Sequence, residues 1–305
     1  MSLSDSLAGV LGGVAGTVVG QPFDLIKVRM QTGDGKLGSS PISVLIKIVR
    51  NEGIRTLFRG IAFPLIGYVP VNVVVFGAYG KAEQTLVEMR RRRSDKFKAL
   101  TSSPPTTATD SFLAGAFAGA IQVPICAPVE AFKIRMQTQM TGSNRALNPR
   151  METLFRNSSH ALKSIIQNEG LTGVYRGVVA TALRDVLGYG LYFGIFHLFC
   201  DYLKQDKEKK AGHLVTFVSG GMSGFVCYGI CYPLDTIKSR VQGLRNKSII
   251  SAAREVLQSG GILGFYKGLG PTLMRAFPEN AAVLYTYEMV IRWLKSGQSS
   301  GDTVD

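Results

Sequence analysis

Apolar residues run in long stretches along this chain, and polar residues gather in the short spaces between them. Residues 5–30 form the first stretch, with glycines and Pro22 inside it, and later stretches cover 61–88, 178–204 and 270–295. Two more begin near residues 110 and 213. Some 20 apolar residues suffice to cross a bilayer, so the pattern predicts an all-α membrane protein with six transmembrane helices. An even number of spans puts both termini on one side. Polar loops join the spans within each pair, and the first carries a short amphipathic segment at Ile42–Val49.

The spans come in three related pairs. Pro22, Asp24, Lys27, Arg29 and Gln31 recur as Pro128, Glu130, Lys133, Arg135 and Gln137, and again as Pro233, Asp235, Lys238, Arg240 and Gln242. The prolines are 106 and 105 residues apart, so the repeat is a whole structural unit, far longer than a solenoid period. Three repeats, 5–93, 110–204 and 213–295, are expected to build one transport domain over 1–305. A Ser/Thr/Pro-rich linker at 94–109 and a loose tail at 297–305 complete it. Gly9 and Gly13, Gly115 and Gly119, and Gly220 and Gly224 fall 13 and 9 residues before the prolines. Small residues at that spacing let helix backbones approach closely in lipid. A second box also recurs: Glu52-Gly53 through Phe58-Arg59-Gly60, Glu169-Gly170 through Tyr175-Arg176-Gly177, and Gly260-Gly261 through Tyr266-Lys267-Gly268. It predicts a surface helix ending at glycine and a re-entry with interfacial aromatic and basic residues.

Composition agrees with the membrane reading. Mean hydropathy is +0.15, 18% of residues are charged and 35 are glycine, a balance of helical membrane proteins. The net charge of +14 is spread between apolar segments and not gathered on one soluble face, so no nucleic-acid partner is expected. Cys126, Cys200, Cys227 and Cys231 form no CxxC pair, and His160, His197 and His213 are scattered. Neither a metal site, a cofactor nor an enzyme's nucleophile–base arrangement is expected. The first ten residues lack a basic start and a cleavable apolar core, so any organelle address is expected to be internal.

The signature's chemistry follows from its residue types. Proline inside an apolar helix removes a backbone hydrogen bond and bends the helix, so Pro22, Pro128 and Pro233 are expected kinks. Charges at membrane depth pair or line a wet cavity. Three equivalent helices around an axis would let the acid of one meet the lysine of the next. This predicts a breakable gate of Asp24, Glu130 and Asp235 with Lys27, Lys133 and Lys238. Pairing of each acid with the lysine of its own helix is the alternative. Gln31, Gln137 and Gln242 could brace the ring or be surface residues.

These motifs resemble the mitochondrial carrier family, and the likeness covers essentially residues 5–295. The resemblance implies a multi-pass carrier of the mitochondrial inner membrane, with threefold pseudosymmetry and short matrix helices. It further implies a central substrate site, alternating access through a matrix-side salt-bridge gate at the residues just named, bound cardiolipin in many members, and a monomer. The family's opposite gate uses an aromatic, an acid and then a basic residue. Here those positions read Tyr79-Gly80 with Glu83, Phe196-His197 with Cys200, and Tyr287-Glu288 with Ile291. A weak outer gate and measurable unidirectional transport are therefore expected.

Asn72, Arg184, Asp185 and Arg275 are the candidate substrate residues, since polar groups at mid-membrane are functional by default. Adjacent residues do not share a helix face, so Arg184 and Asp185 are expected to serve different partners. Struts pairing Arg184 with Asp185 and Arg275 with Glu279 are the alternative. Asp185 suits an ammonium group and Arg275 a carboxylate, which together describe a zwitterionic or cationic solute. The resemblance is nearest to the carnitine/acylcarnitine and basic amino acid branch. Val71, where ornithine-type carriers often have an acid, shifts the expectation towards carnitine, acylcarnitines or methylated basic amino acids. Carriers of ornithine, lysine or arginine, and a fatty-acid-dependent proton leak, are the other readings.

Overall fold

The computed structural model describes residues 3–32, 40–93, 106–139, 155, 157–203, 213–244 and 248–299. Among them the chain forms nine α-helices and two 3-10 turns. The first repeat holds α1 (Leu3–Thr32), α2 (Pro41–Glu52), a turn at Ile54–Phe58 and α3 (Ala62–Arg93). The second holds α4 (Ala108–Thr138), α5 (Ser158–Val174) and α6 (Val178–Leu203). The third holds α7 (His213–Gly243), α8 (Ile249–Gly260), a turn at Ile262–Tyr266 and α9 (Leu269–Ser299). Residues 94–105 of the expected linker and 300–305 of the expected tail lie outside the described residues. Ala108 already opens α4, and α9 runs on to Ser299.

Leu7–Thr32, Ile54–Arg93, Ala108–Thr138 and Val178–Leu203 are long and apolar enough to cross a membrane. α7 and α9 have comparable length, 31 residues each. Pro22, Pro128 and Pro233 all lie inside helices that continue past them.

The second box folds alike in each repeat. Positive φ occurs, among the described glycines, at Gly53, Gly170 and Gly261 and again seven residues later at Gly60, Gly177 and Gly268. A side chain is strained in such a backbone, which explains glycine at these positions. Gly53 and Gly261 end α2 and α8, their N–H groups bonding Val49 O at 3.1 Å and Leu257 O at 2.9 Å.

The chain groups into two compact units. One comprises Met1–Val69, Val129–Val174 and Ser239–Asp305, and the other Pro70–Pro128 and Tyr175–Lys238. In the first unit each of two signature helices packs on the surface helix that follows it. Val44 and Ile48, one turn apart on α2, are buried against Leu25, Ile26 and Met30 of α1. Phe132 and Met136 of α4 pack with Ala161 and Ile165 of α5. Ile26 and Phe132, like Met30 and Met136, hold equivalent places relative to the signature proline.

The glycine spacing is used differently from the expectation in the first repeat. Gly9 meets nothing, whereas Gly13 lies so close to the Tyr68 ring of α3 that a methyl group there would overlap it, and α1 approaches α9 through Gly12, Gly16 and Gly20. A methyl group on Gly16 would lie 2.5 Å from Val283 Cγ2, and one on Gly20 3.3 Å from Arg275 Cδ. The face that needs small residues is set by the partner's bulk, which the sequence of α1 does not show. In the second unit Gly115 and Gly119 do mark a close approach: a methyl on either would lie 2.5 Å from a carbonyl oxygen of α6, that of Tyr189 or Asp185.

Pro128 cannot donate to the carbonyl of Pro124, four residues earlier. The Tyr175 hydroxyl fills that place, donating to Pro124 O at 3.2 Å.

Candidate functional site

The signature arginines are buried charges, and the sequence reading assigned them no role. Both side-chain amino groups of Arg29 bind the Glu52 carboxylate at 3.0 Å, and its Nε donates to Gln137 O at 2.6 Å. Neither partner's side chain is exposed, and the paired geometry is that of a strong charge-assisted contact. Arg135 reaches Glu169 Oε2 and Gly173 O, each at 3.0 Å. Gly260 replaces the glutamate in the third repeat, and Arg240 Nη1 lies 3.7 Å from Glu255 Oε2 instead. The signal was present in the sequence: Arg recurs wherever the signature does, and Glu precedes the box glycine in two repeats.

Two of the signature glutamines receive an arginine on the main chain. Arg240 Nε donates to the main-chain carbonyl of Gln31 at 2.8 Å, as Arg29 does to that of Gln137. The Gln137 side-chain amide is fully buried and makes no hydrogen bond. Gln242 is buried as well.

In the first unit, Asp24 on α1 binds Lys133 of α4 and Arg275 of α9. The Lys133 contact joins the acid of one signature helix to the lysine of the next. Arg275 also pairs with Glu279, one turn along α9, at 2.9 Å. One predicted gate acid and one predicted substrate arginine thus share a single cluster. Lys27 and Glu130 are half-buried on α1 and α4.

The second unit holds the other cluster. Asp185 on α6 is 1% exposed. Its Oδ1 receives Arg184 Nη1 at 3.1 Å and Lys238 Nζ at 3.4 Å, and its Oδ2 receives Gln122 Nε2 at 3.1 Å. Arg184 Nε donates to Asp235 Oδ1 at 2.6 Å. Adjacent residues were expected to serve different partners. Arg184 does reach α7, but its long side chain also returns to its neighbour, because the guanidinium offers donors in more than one direction. Asn72 is half-buried on α3. Sequence reasoning missed Gln122, a lone polar residue within an apolar run of α4.

At the outer-gate positions three polar contacts run along single helices, while the Tyr79 ring stacks on Phe193 of α6. Tyr79 donates to Glu83 at 2.8 Å, His197 lies 3.1 Å from Asp201, and Arg292 pairs with Glu288 at 3.1 Å. A separate groove of about 620 Å³ is walled by apolar residues including Phe112, Leu183, Leu187 and Leu234, and offers a polar solute nothing to bind.

The mitochondrial carrier protein profile matches residues 2–90, 104–207 and 209–298. The chain is 34% identical to the mitochondrial basic amino acids transporter of Rattus norvegicus, over 98% of this chain and 92% of the relative. Against the human protein of the same name the identity is 34%, over 97% and 92%. It is 31% identical to human solute carrier family 25 member 48, over 96% of each chain. These relatives are solute carriers and not enzymes. Three profile matches that together span the signatures, and full-length likeness above 30%, make this chain a transporter of the mitochondrial carrier family.

Proposed function

We propose that the protein is an inner-membrane carrier that moves a small cationic or zwitterionic amine by alternating access, with basic amino acids and their methylated forms as the leading substrates. The observation that carries this is Asp185, a buried carboxylate surrounded by the movable donors Arg184, Lys238 and Gln122. A substrate ammonium or guanidinium replaces these donors on Asp185, and a substrate carboxylate takes an arginine, Arg275 or Arg184, away from its acid. Six helices span the membrane, and the signature acids and lysines Asp24, Lys27, Glu130, Lys133, Asp235 and Lys238 serve as the matrix-side gate. The glutamines of the signature lie beneath it. Within each unit a proposed substrate arginine contacts a proposed gate acid, Arg275 with Asp24 in one and Arg184 with Asp235 in the other, which supports this reading. Asn72 contributes a neutral polar group, and cardiolipin is the expected bound lipid.

The name of the relatives at 34% identity supports basic amino acids. Carnitine or acylcarnitine is the second reading, favoured by the same pairing of a buried carboxylate with arginines. The test is a labelled-solute panel in proteoliposomes: lysine, arginine, ornithine, their methylated forms, carnitine and acylcarnitines. Asp185→Asn should reduce uptake of every cationic member at least tenfold. Unchanged uptake in that variant, or proton conductance activated by fatty acid with no solute movement, would overturn the reading.

A further inference from the structure

We infer that Gln122 is a specificity-determining residue that makes the site select cations bearing N–H donors over quaternary ammonium groups of equal charge. This rests on Asp185 as the partner of the substrate cation.

Gln122 lies on α4 and is 1% exposed. Gly119, three residues earlier, lets α4 approach the main chain of α6 at Asp185, which brings the Gln122 amide within reach of that carboxylate. Nε2 donates to Asp185 Oδ2 at 3.1 Å. The opposite amide orientation would set a carbonyl oxygen against a carboxylate, so Oε1 points away from it. That Oε1 is fully buried and accepts no hydrogen bond. A buried carbonyl without a donor is costly, and nearly all such groups in folded proteins are satisfied. A cation held by Asp185 that also presents an N–H to Oε1 removes the cost. An ammonium or guanidinium can give one N–H to the carboxylate and another to Oε1.

A trimethylated nitrogen has charge but no N–H, and would leave Oε1 as it is. Such ions are held instead by open aromatic faces. Four rings of this unit engage one another and not a solute: Tyr79 stacks on Phe193 at 4.1 Å, Tyr192 meets Phe193 edge-on at 5.5 Å, and Tyr192 stacks on Phe196. The role is also peculiar to one repeat. Six residues before the signature proline the other two repeats have Gly16 and Cys227, so the glutamine is no part of the threefold framework. A residue that breaks the symmetry is suited to recognising a solute that has none.

The experiment measures KM for lysine and for Nε-trimethyllysine in proteoliposomes of the full chain. Wild type should prefer lysine about tenfold, the worth of one good hydrogen bond to a charged group. Gln122→Met, close in shape but without an acceptor, should bring the KM ratio near one by raising the lysine value alone. Gln122→Leu likewise lacks the acceptor and should give the same ratio near one, and it serves if the methionine variant does not fold. A ratio is insensitive to the amount of active protein. An unchanged ratio in Gln122→Met, or no preference in wild type, overturns the inference and leaves the carrier reading standing. Uptake of neither solute overturns the substrate class and this inference together.

Discussion

Arg29 and Arg240 sit at equivalent signature positions, yet their acids differ. Glu52 contacts Arg29 through both oxygens with no exposure, whereas Glu255 lies 3.7 Å from Arg240 and its side chain is 23% exposed. Breaking a buried pair leaves an uncompensated charge and costs about 3–5 kcal/mol. Glu52→Gln should therefore lower the thermal midpoint in detergent markedly, and Glu255→Gln only slightly; equal shifts in the two variants would refute the distinction. The acids and lysines of the signature were legible as groups that need partners, because charges in apolar helices demand them. Which partner each takes was not. Asp24 takes Arg275 in addition to Lys133, and Lys238 takes Asp185, because arginines and acids from α6 and α9 lie within reach of the signature charges. Gln122 escaped notice since a single uncharged amide in an apolar run looks the same whether it packs or recognises.

Helix contacts decide how those residues are held. A methyl group on Gly119 would overlap a main-chain carbonyl that cannot swing away, while one on Gly9 meets nothing. Overpacking of this kind costs about 1–3 kcal/mol. Gly119→Ala should reduce both thermal stability and uptake, with Gly9→Ala as the silent control in the same assays. Tyr175→Phe removes the donor that replaces the missing N–H at Pro128. A loss of about 0.5–1 kcal/mol is expected for that partly exposed bond, read as a small midpoint shift. Repeat 1 has Phe58 at the matching place, without a hydroxyl, so Phe58→Leu should cost no hydrogen bond there. The helices themselves were readable from apolar stretches, and the box glycines from their recurrence, since both reflect local backbone demands. The close-packing stripe Gly12, Gly16 and Gly20 was not, because it is defined by Val283, Glu279 and Arg275 on the last helix.

For the molecule as a whole, the two ends of the predicted pathway differ. Partly buried charge pairs link separate helices at Asp24 with Lys133 and at Asp235 with Arg184, whereas polar pairs at the outer positions Glu83, Asp201 and Glu288 run within single helices. Exposed pairs one turn apart contribute only about 0.3–0.5 kcal/mol and join no two helices, which supports the proposal of a weak outer gate. Preloaded proteoliposomes should release labelled substrate into substrate-free buffer at a measurable rate. Complete dependence on external counter-substrate would show that barrier to be adequate. Repeat length, helical character, the glycine turns and the kinds of charge buried were determined by the sequence alone, because apolar run length, proline and glycine act on neighbouring residues. The assignment of partners was decided only by tertiary structure. Lys133 and Asp24 are 109 residues apart, and Lys238 and Asp185 are 53 apart. Short-range polar contacts between such residues depend on how whole helices lie against one another, which no local pattern of residues encodes.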